Sequence, residues 1–121
     1  MWLGTVEGWF SIVKHREEAD TFMVRARVKG DLENLRALAG IGQEVVATPH
    51  ADYPFRLIVT GAQVLDVLAK LGEGITYSNY KSEVGKRPGQ RAKLNAYHKV
   101  WEVMTHVEEG RFEEPGARKD P

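Results

Sequence analysis

The chain contains no cysteine among its 121 residues. Disulfide bonds, thiolate nucleophiles and cysteine-based metal or iron–sulfur sites are therefore excluded. It also lacks any run approaching the ~18 consecutive apolar residues of a transmembrane helix. The first residues, MWLGTVEGWF, have neither the basic region nor the long apolar region of a signal peptide. These absences favour a cytoplasmic protein with no membrane partner.

An excess of charge of one sign is missing as well. The 17 basic and 17 acidic residues give a net charge of zero, so the overall field does not favour nucleic acid or membranes, and only a local asymmetry can. The apolar content of 42% is typical of a globular protein. Few Asn and Gln residues beside many Glu, Lys and Arg are a compositional hint of a thermophile.

The spacing of apolar residues predicts both strands and helices. Runs that are rich in β-branched and aromatic residues, or that alternate with polar ones, indicate strands. These are expected at 8–15, 21–30, 43–49 and 54–60. Helices are expected at 31–39, 61–71 and 78–84, with a last long helix from Pro88 to about Val107. Asp31 is the expected N-cap of the first helix, Gly40 its stop, and Thr60 with Gln63 a capping box before the second.

The element order ββαββα, followed by an added helix, predicts an α+β fold. We expect a two-layer sandwich whose antiparallel sheet has the order 1-2-4-3, counting only the predicted strands. That order is a circular permutation of the ferredoxin-like arrangement, with a long C-terminal helix added. Residues 1–110 are expected to form a single domain and residues 111–121 a disordered tail.

The two faces of the predicted sheet differ in chemistry. The inner helices are expected to cover the face that bears Val24 and Leu57, because each has one apolar stripe to bury. The other face bears Arg25, Arg27 and Arg56. It is joined by either Trp9 and Val13 or Phe10 and Ile12 from the first strand. Arginines mixed with aromatic residues can form a stacking platform for unpaired bases.

The last helix offers a different interpretation of that arginine face. Its apolar residues form a stripe too broad to remain exposed to water. They are Ala96, Tyr97, Val100, Trp101, Val103, Met104 and Val107. We expect this helix, with Trp101 at the centre of the stripe, to cover the sheet or a dimer interface.

Residues 76–101 hold six of the basic residues but one acidic residue, Glu83. We call Lys81, Lys86, Arg87, Arg91 and Lys93 the basic corner. It has enough cations for salt-sensitive binding to nucleic acid or another polyanion. The alternative is a solvated helix edge whose cations meet acidic residues elsewhere in the chain or in a partner.

Two turns could contribute to a pocket. Asp52 and Tyr53 lie in one, and Tyr77 and Asn79 in the other. Asp52 could orient Arg56, leaving tyrosine hydroxyls and Lys81 for a ligand anion. Ordinary turn chemistry accounts for the same residues: Asp52 caps its turn, the tyrosines seal the edge of the core, and Asn79 caps the helix that follows.

No catalytic motif, metal site or cofactor site is predicted. His98, Glu102 and His106 are spaced four residues apart, so the ends of the trio are ~12 Å apart on a helix and at most two could share an ion. No phosphate-binding loop or nucleophile elbow is present.

Five blocks stand in a characteristic order: GWFSIV, VRARVKGDL, DYPFR, YSNYK and YHKVW. In these the chain resembles a family of short uncharacterised bacterial proteins, over about residues 8–103. The resemblance implies a small self-contained domain and assigns no role to any residue.

Three functions remain open at this point. The first is a small non-enzymatic binding module for nucleic acid or another polyanion, using the basic corner and the arginine face. The second is a homodimeric or protein-interaction domain using the arginine face or the last helix. The third is an enzyme acting on a phosphorylated or acidic small molecule, centred on Asp52, Tyr53, Arg56 and Lys81.

Overall fold

The structure is a computed structural model that describes residues 1–108. The predicted disordered tail, 111–121, lies outside the described residues. The chain has an α+β fold with the following elements: β1 (Trp2–Thr5), β2 (Gly8–Lys14), β3 (Thr21–Ala26), α1 (Lys29–Ala39), β4 (Val46–Ala47), β5 (Phe55–Thr60), α2 (Gly61–Glu73), α3 (Tyr80–Lys86), a 3₁₀ turn (Arg91–Lys93) and α4 (Leu94–Met104).

The described strands form one sheet with the order β1-β2-β3-β5-β4, and all neighbouring strands are antiparallel. The prediction had four strands, so the strand order differs from it by the additional edge strand β1. This strand has four residues, too few for an alternating pattern to stand out. The predicted ferredoxin-like relationship stays a prediction.

The N-terminus is tied into the sheet through β1. The Met1 amino group donates to the carbonyl of Ile12 at 2.9 Å. In the turn between β1 and β2, the Thr5 hydroxyl accepts from the amides of Glu7 and Gly8, each at 3.1 Å. The turn thereby places Gly8 opposite Thr5, which sets the register of the hairpin.

The main core lies between one face of the sheet and the two helices α1 and α2. Its strands contribute Val24 and Leu57, and its helices Leu35 and Val67. The prediction that the inner helices cover this face is confirmed. Phe10 and Ile12 are buried in the same core, so Trp9 and Val13 lie on the opposite face with the arginines.

Local signals set several helix ends. Gln63 and Thr60 form the predicted capping box, with bonds of 3.2 and 2.9 Å between side chains and amides. Gly40 ends α1 at φ 63°, a left-handed conformation that favours glycine. The prediction that Asp31 is an N-cap is wrong: α1 begins at Lys29, and the Asp31 side chain is buried in the first turn.

The last helix is shorter than predicted. It was expected from Pro88, but Gly89 has φ 78° and residues 91–93 form a 3₁₀ turn, so α4 begins at Leu94. A second, smaller core holds its first turns. Tyr97 packs there with Val84 of α3 and with Val6 of the β1–β2 turn. No helix within residues 1–108 is long and apolar enough to span a bilayer.

Candidate functional site

A buried carboxylate fixes the start of α4 to the sheet. Asp31 is 2% exposed, and its oxygens accept from the Trp9 amide at 3.2 Å, the Gln90 amide group at 3.0 Å and the Lys93 ammonium. Gly8 makes this possible, since a Cβ there would lie 2.4 Å from Cγ of Asp31. Lys93 is therefore committed to an internal ion pair.

The basic corner divides into paired and unpaired cations. Arg87 contacts the carboxylates of Glu7 at 3.3 Å and Glu83 at 3.4 Å. Like Lys93, it has an acidic partner within the fold. Within residues 1–108 no carboxylate lies within ion-pair distance of Lys81, Lys86 or Arg91. Lys86 also belongs to the last turn of α3 rather than to a loop.

The apolar stripe of α4 is largely exposed in the single chain, so it does not cover the sheet, and the alternative that it covers a dimer interface stays a prediction. Trp101, the expected centre of a buried stripe, is 56% exposed. Tyr97 is the one residue of α4 that is buried, and the residues after it line open depressions beside Trp2 and Trp9. The exposed apolar residues beyond it are Val100, Trp101, Val103, Met104 and Val107.

A groove lies between α4 and the open face of the sheet. We define the tryptophan groove by Trp2, Trp9, Tyr97, Val100 and Trp101. The Trp9 ring lies 5.8 Å from the Tyr97 ring and 6.4 Å from the Trp2 ring, measured between centroids. The strand β1 contributes Trp2, which is 72% exposed. The groove thus joins the sheet edge to the exposed helix.

Basic residues lie along the whole groove, which consists of three adjoining depressions that share Val100. The first combines Trp9 with Arg27 and Lys93. The second combines Trp101 with Lys81, and the third combines Trp2 with Lys99. Among the described residues that line these depressions, Asp31 is the one acid, and Lys93 neutralises it.

Lys81 is held at the edge of the groove by two rings. Its ammonium lies 4.9 Å from the centroid of Trp101 and 3.3 Å from Nδ1 of His98. The His98 ring stacks on Trp101 at 5.6 Å, and its Nε2 lies 4.0 Å from Glu102. No group of three possible metal ligands occurs within residues 1–108.

The floor of the groove contains two tyrosines that stay neutral at ordinary pH. The Tyr80 hydroxyl donates to the carbonyl of Thr5 at 3.2 Å, and its ring lies 5.5 Å from that of Tyr97. Burial, and then the neighbouring Tyr97, raise the pKa of Tyr80 above its ordinary value. Burial also raises the pKa of Tyr97. Neither hydroxyl adds negative charge beside the cations.

The arginine face is partly covered, but by a loop rather than by the last helix. The Tyr53 ring packs against two guanidinium groups, with Arg25 at 4.7 Å and Arg27 at 4.8 Å from its centroid. Arg25 donates to the Ser11 hydroxyl at 2.7 Å, and Arg27 to the carbonyl of Asp52 at 2.9 Å. Tyr53 thus occupies the position where a base would stack on these arginines.

The predicted pairing of Asp52 with Arg56 is confirmed, with a separation of 3.3 Å. Arg25 lies directly opposite Arg56 in the sheet. Like charges in that position repel, and Asp52 offsets the repulsion. All three arginines are therefore held by internal contacts.

The two turns proposed as one pocket lie in different surroundings. Asp52 and Tyr53 contact the arginine face, whereas Tyr77 lies 6.5 Å from the Tyr80 ring. Asn79 caps α3 as turn chemistry predicts, since its side-chain oxygen accepts from the Ser82 amide at 2.9 Å. Within residues 1–108 no side-chain hydrogen bond joins the two turns.

Sequence reasoning missed the contribution of Trp2 to a binding surface. Trp2 lies in the strand that was not predicted, and its register places it beside β2 on the same face as Trp9. Recognising a hairpin at WLGTVEGW would have put both tryptophans on one surface, because alternate residues of a strand share a face.

Comparison of the chain with protein-family models, with curated proteins and with solved structures finds no match. The resemblance to a family of short bacterial proteins therefore stays a prediction. The proposed function therefore depends on the geometry of the site.

Proposed function

We propose that the chain is a small non-enzymatic binding module for nucleic acid or another polyanion, and that the tryptophan groove is its contact surface. One observation carries this proposal: each depression of the groove combines a tryptophan with a basic side chain. Cations attract phosphates, and aromatic rings accept bases. The combination fits a polyanion that also carries flat apolar groups.

The charge distribution supports this surface over the basic corner alone. Arg87 and Lys93 have carboxylate partners inside the fold, so binding a phosphate there would compete with an existing ion pair. Lys81 and Lys99 line the groove, and Arg91 belongs to the turn that also carries Lys93. These three cations have no carboxylate partner within residues 1–108.

The experiment is a salt titration with fluorescently labelled oligonucleotides. Lys81, Arg91 and Lys99 are replaced together by glutamine. Each phosphate contact contributes about 0.7 to the slope of log affinity against log salt for a single strand, so the slope should flatten by about two units. Binding should weaken alike for all sequences, because phosphate contacts carry no sequence information.

A control variant removes three positive charges elsewhere: Lys14, Arg16 and Lys70 are replaced by glutamine. Lys14 and Arg16 are exposed at the far end of β2 from Trp9, and Lys70 is on α2. This variant has the same net charge as the variant of Lys81, Arg91 and Lys99. An equal change of slope in both variants would assign the attraction to net charge and reject the groove.

A second candidate is a homodimeric or protein-interaction domain. Val103 and Met104 at the end of α4, and Val107 just beyond it, favour this candidate because all three are exposed. Val103 and Met104 also line the third depression of the groove. Apolar stretches of this kind often mark protein interfaces. Light scattering distinguishes the candidates: a doubled mass that reverts when Val103 and Met104 become serine supports the dimer, and a monomeric mass opposes it.

We further propose that the sheet is related to the ferredoxin-like fold by circular permutation. The support is that β3 and β4, joined through α1, both pair with β5 between them. The additional strand β1 departs from that arrangement. The cytoplasmic location and the thermophilic source stay predictions from composition.

A further inference from the structure

Among the large apolar residues of the described part of the chain, Trp2 is the most exposed, and it lies on the edge strand of the sheet. It makes a tilted contact with Trp9 at 6.4 Å and an interplanar angle of 49°. A large apolar ring left in water does not stabilise the fold, and exposed apolar groups beside a groove often mark a binding site. Trp2 is therefore available to a ligand.

Trp2 shares its depression with one cation and the exposed stripe of α4. Lys99 lines this depression together with Val100 and Met104. The volume of the depression is about 330 Å³. Volumes near this value lie at the small end of the ~300–1,000 Å³ range of ligand pockets. A planar apolar group with a single negative charge beside it matches this combination of ring, aliphatic wall and ammonium.

The neighbouring depression repeats the combination. Trp101 and Lys81 lie there, and Val100 belongs to both depressions. Trp101 already carries the His98 ring and the Lys81 ammonium as neighbours, so Trp2 has the more accessible ring. Two adjacent sites of the same chemistry suit a ligand that repeats a base and a phosphate.

From this we infer that the groove binds single-stranded nucleic acid, with a base stacked on Trp2 and phosphates on Lys99 and Lys81. The inference rests on the proposed function and specifies the form of its polyanion. In a duplex the base faces are covered by their neighbours, whereas a single strand can present them to aromatic side chains. A sulfated polysaccharide has the charges but no rings to stack.

The test compares ligands that differ in their bases. Four probes are titrated against the full chain at one salt concentration: oligothymidylate of about ten nucleotides, oligouridylate of equal length, an abasic strand of equal length, and heparin. Stacking of one base should make at least one of the two base-bearing strands bind about fivefold to a hundredfold more tightly than the abasic strand.

Variants assign that preference to Trp2. Trp2→Ala should lose most of the preference over the abasic strand, and Trp2→Phe should keep much of it. Leu65→Ala, which removes an exposed apolar side chain from α2, should leave it unchanged. Circular dichroism of each variant checks that the fold is retained.

The outcomes separate this inference from the proposed function. Equal affinity for the abasic and base-bearing strands would show that no base stacks on the groove. It would overturn the inference but still support polyanion binding. A preference that survives Trp2→Ala would also overturn the inference. Absence of binding to all four probes would overturn the proposed function and the inference together. Loss of the preference in Trp2→Ala, with its recovery in Trp2→Phe, is the result expected.

Discussion

Among single residues, the three tryptophans differ from the core in what surrounds them. Trp2 and Trp101 are exposed. Trp9 is half-buried, and its ring contacts those of Trp2 and Tyr97. An exposed ring gains little from folding, because burial of apolar surface is the source of that stabilisation. Because the three rings lie along one groove, they are placed to contact a ligand at the surface.

We expect Trp101→Ala to lower the free energy of unfolding by less than about 1 kcal/mol, the scale of surface substitutions. Phe10→Ala is the matched core variant and should cost ~3–5 kcal/mol, because Phe10 is fully buried. Denaturant unfolding measures both values. A cost for Trp101 near that of Phe10 would show that α4 packs against the core or against a partner.

The buried tyrosines predict a loss of stability at alkaline pH. An acid whose pKa is higher in the folded than in the unfolded state contributes stability that is complete below the unfolded pKa, about 10 for tyrosine, and is lost as the pH rises towards the folded pKa. Burial raises the pKa of Tyr80 and of Tyr97. The melting temperature should therefore fall as the pH rises above about 10.

The variant Tyr80→Phe tests this assignment, since it removes one of the two ionisable groups. Its melting temperature should decline less steeply over the alkaline range than that of the wild type, although it starts lower because the bond to Thr5 is lost. Parallel declines for variant and wild type would mean that other groups cause the alkaline loss.

At the scale of elements, α4 is attached at one end. The ion pair of Asp31 and Lys93 joins the turn before α4 to the first turn of α1, and Gln90 bonds to both residues. Within α4, the buried Tyr97 and the partly buried Leu94 pack into the smaller core. The later residues of α4 are exposed, and Val103 and Met104 line the groove beside Trp2.

We expect Asp31→Ala to cost about 3–5 kcal/mol, because it leaves the Lys93 ammonium without its buried partner. The same change in a Lys93→Met background should cost clearly less, because the charge that would be stranded is already gone. Thermal or denaturant unfolding of the four proteins gives the coupling energy. Additive costs would show that the two groups do not stabilise each other.

Amide hydrogen exchange should distinguish the two halves of the last helix. Amides near Tyr97 should be protected to a similar degree as those of α2, and amides at Val103 and Met104 should exchange faster, because few contacts hold that end. Uniform protection through Met104 in the free protein would indicate that another copy of the chain covers the stripe.

The sequence predicts those elements whose signals are local. Thr60 and Gln63 cap α2, and Gly40 ends α1, because the chemistry involves neighbouring residues. The strand β1 is too short for its pattern to be distinctive. Asp31 has the local context of an N-cap, but its partners Gln90 and Lys93 lie 59 and 62 residues further along the chain. Such distant contacts leave no local pattern.

At the scale of the whole molecule, the candidate site combines segments from both ends of the chain. Trp2 and Trp9 come from the first hairpin, and Tyr97 and Trp101 from the last helix. The sequence identified the excess of basic residues near α4 and the breadth of its apolar stripe. It could not show that the stripe stays exposed beside the first hairpin, because this depends on where Asp31 fixes the start of α4.

The tryptophan indole N–H groups provide the most direct test of the groove. All three tryptophans line it, so a nitrogen–proton correlation spectrum contains three indole signals that report on this surface alone. On titration with oligothymidylate, the indole signals of Trp2 and Trp101 should shift with the same affinity as binding measured by fluorescence, while amides of α2 stay in place. Saturated binding with all three indole signals unmoved would contradict the account and place the contact surface elsewhere.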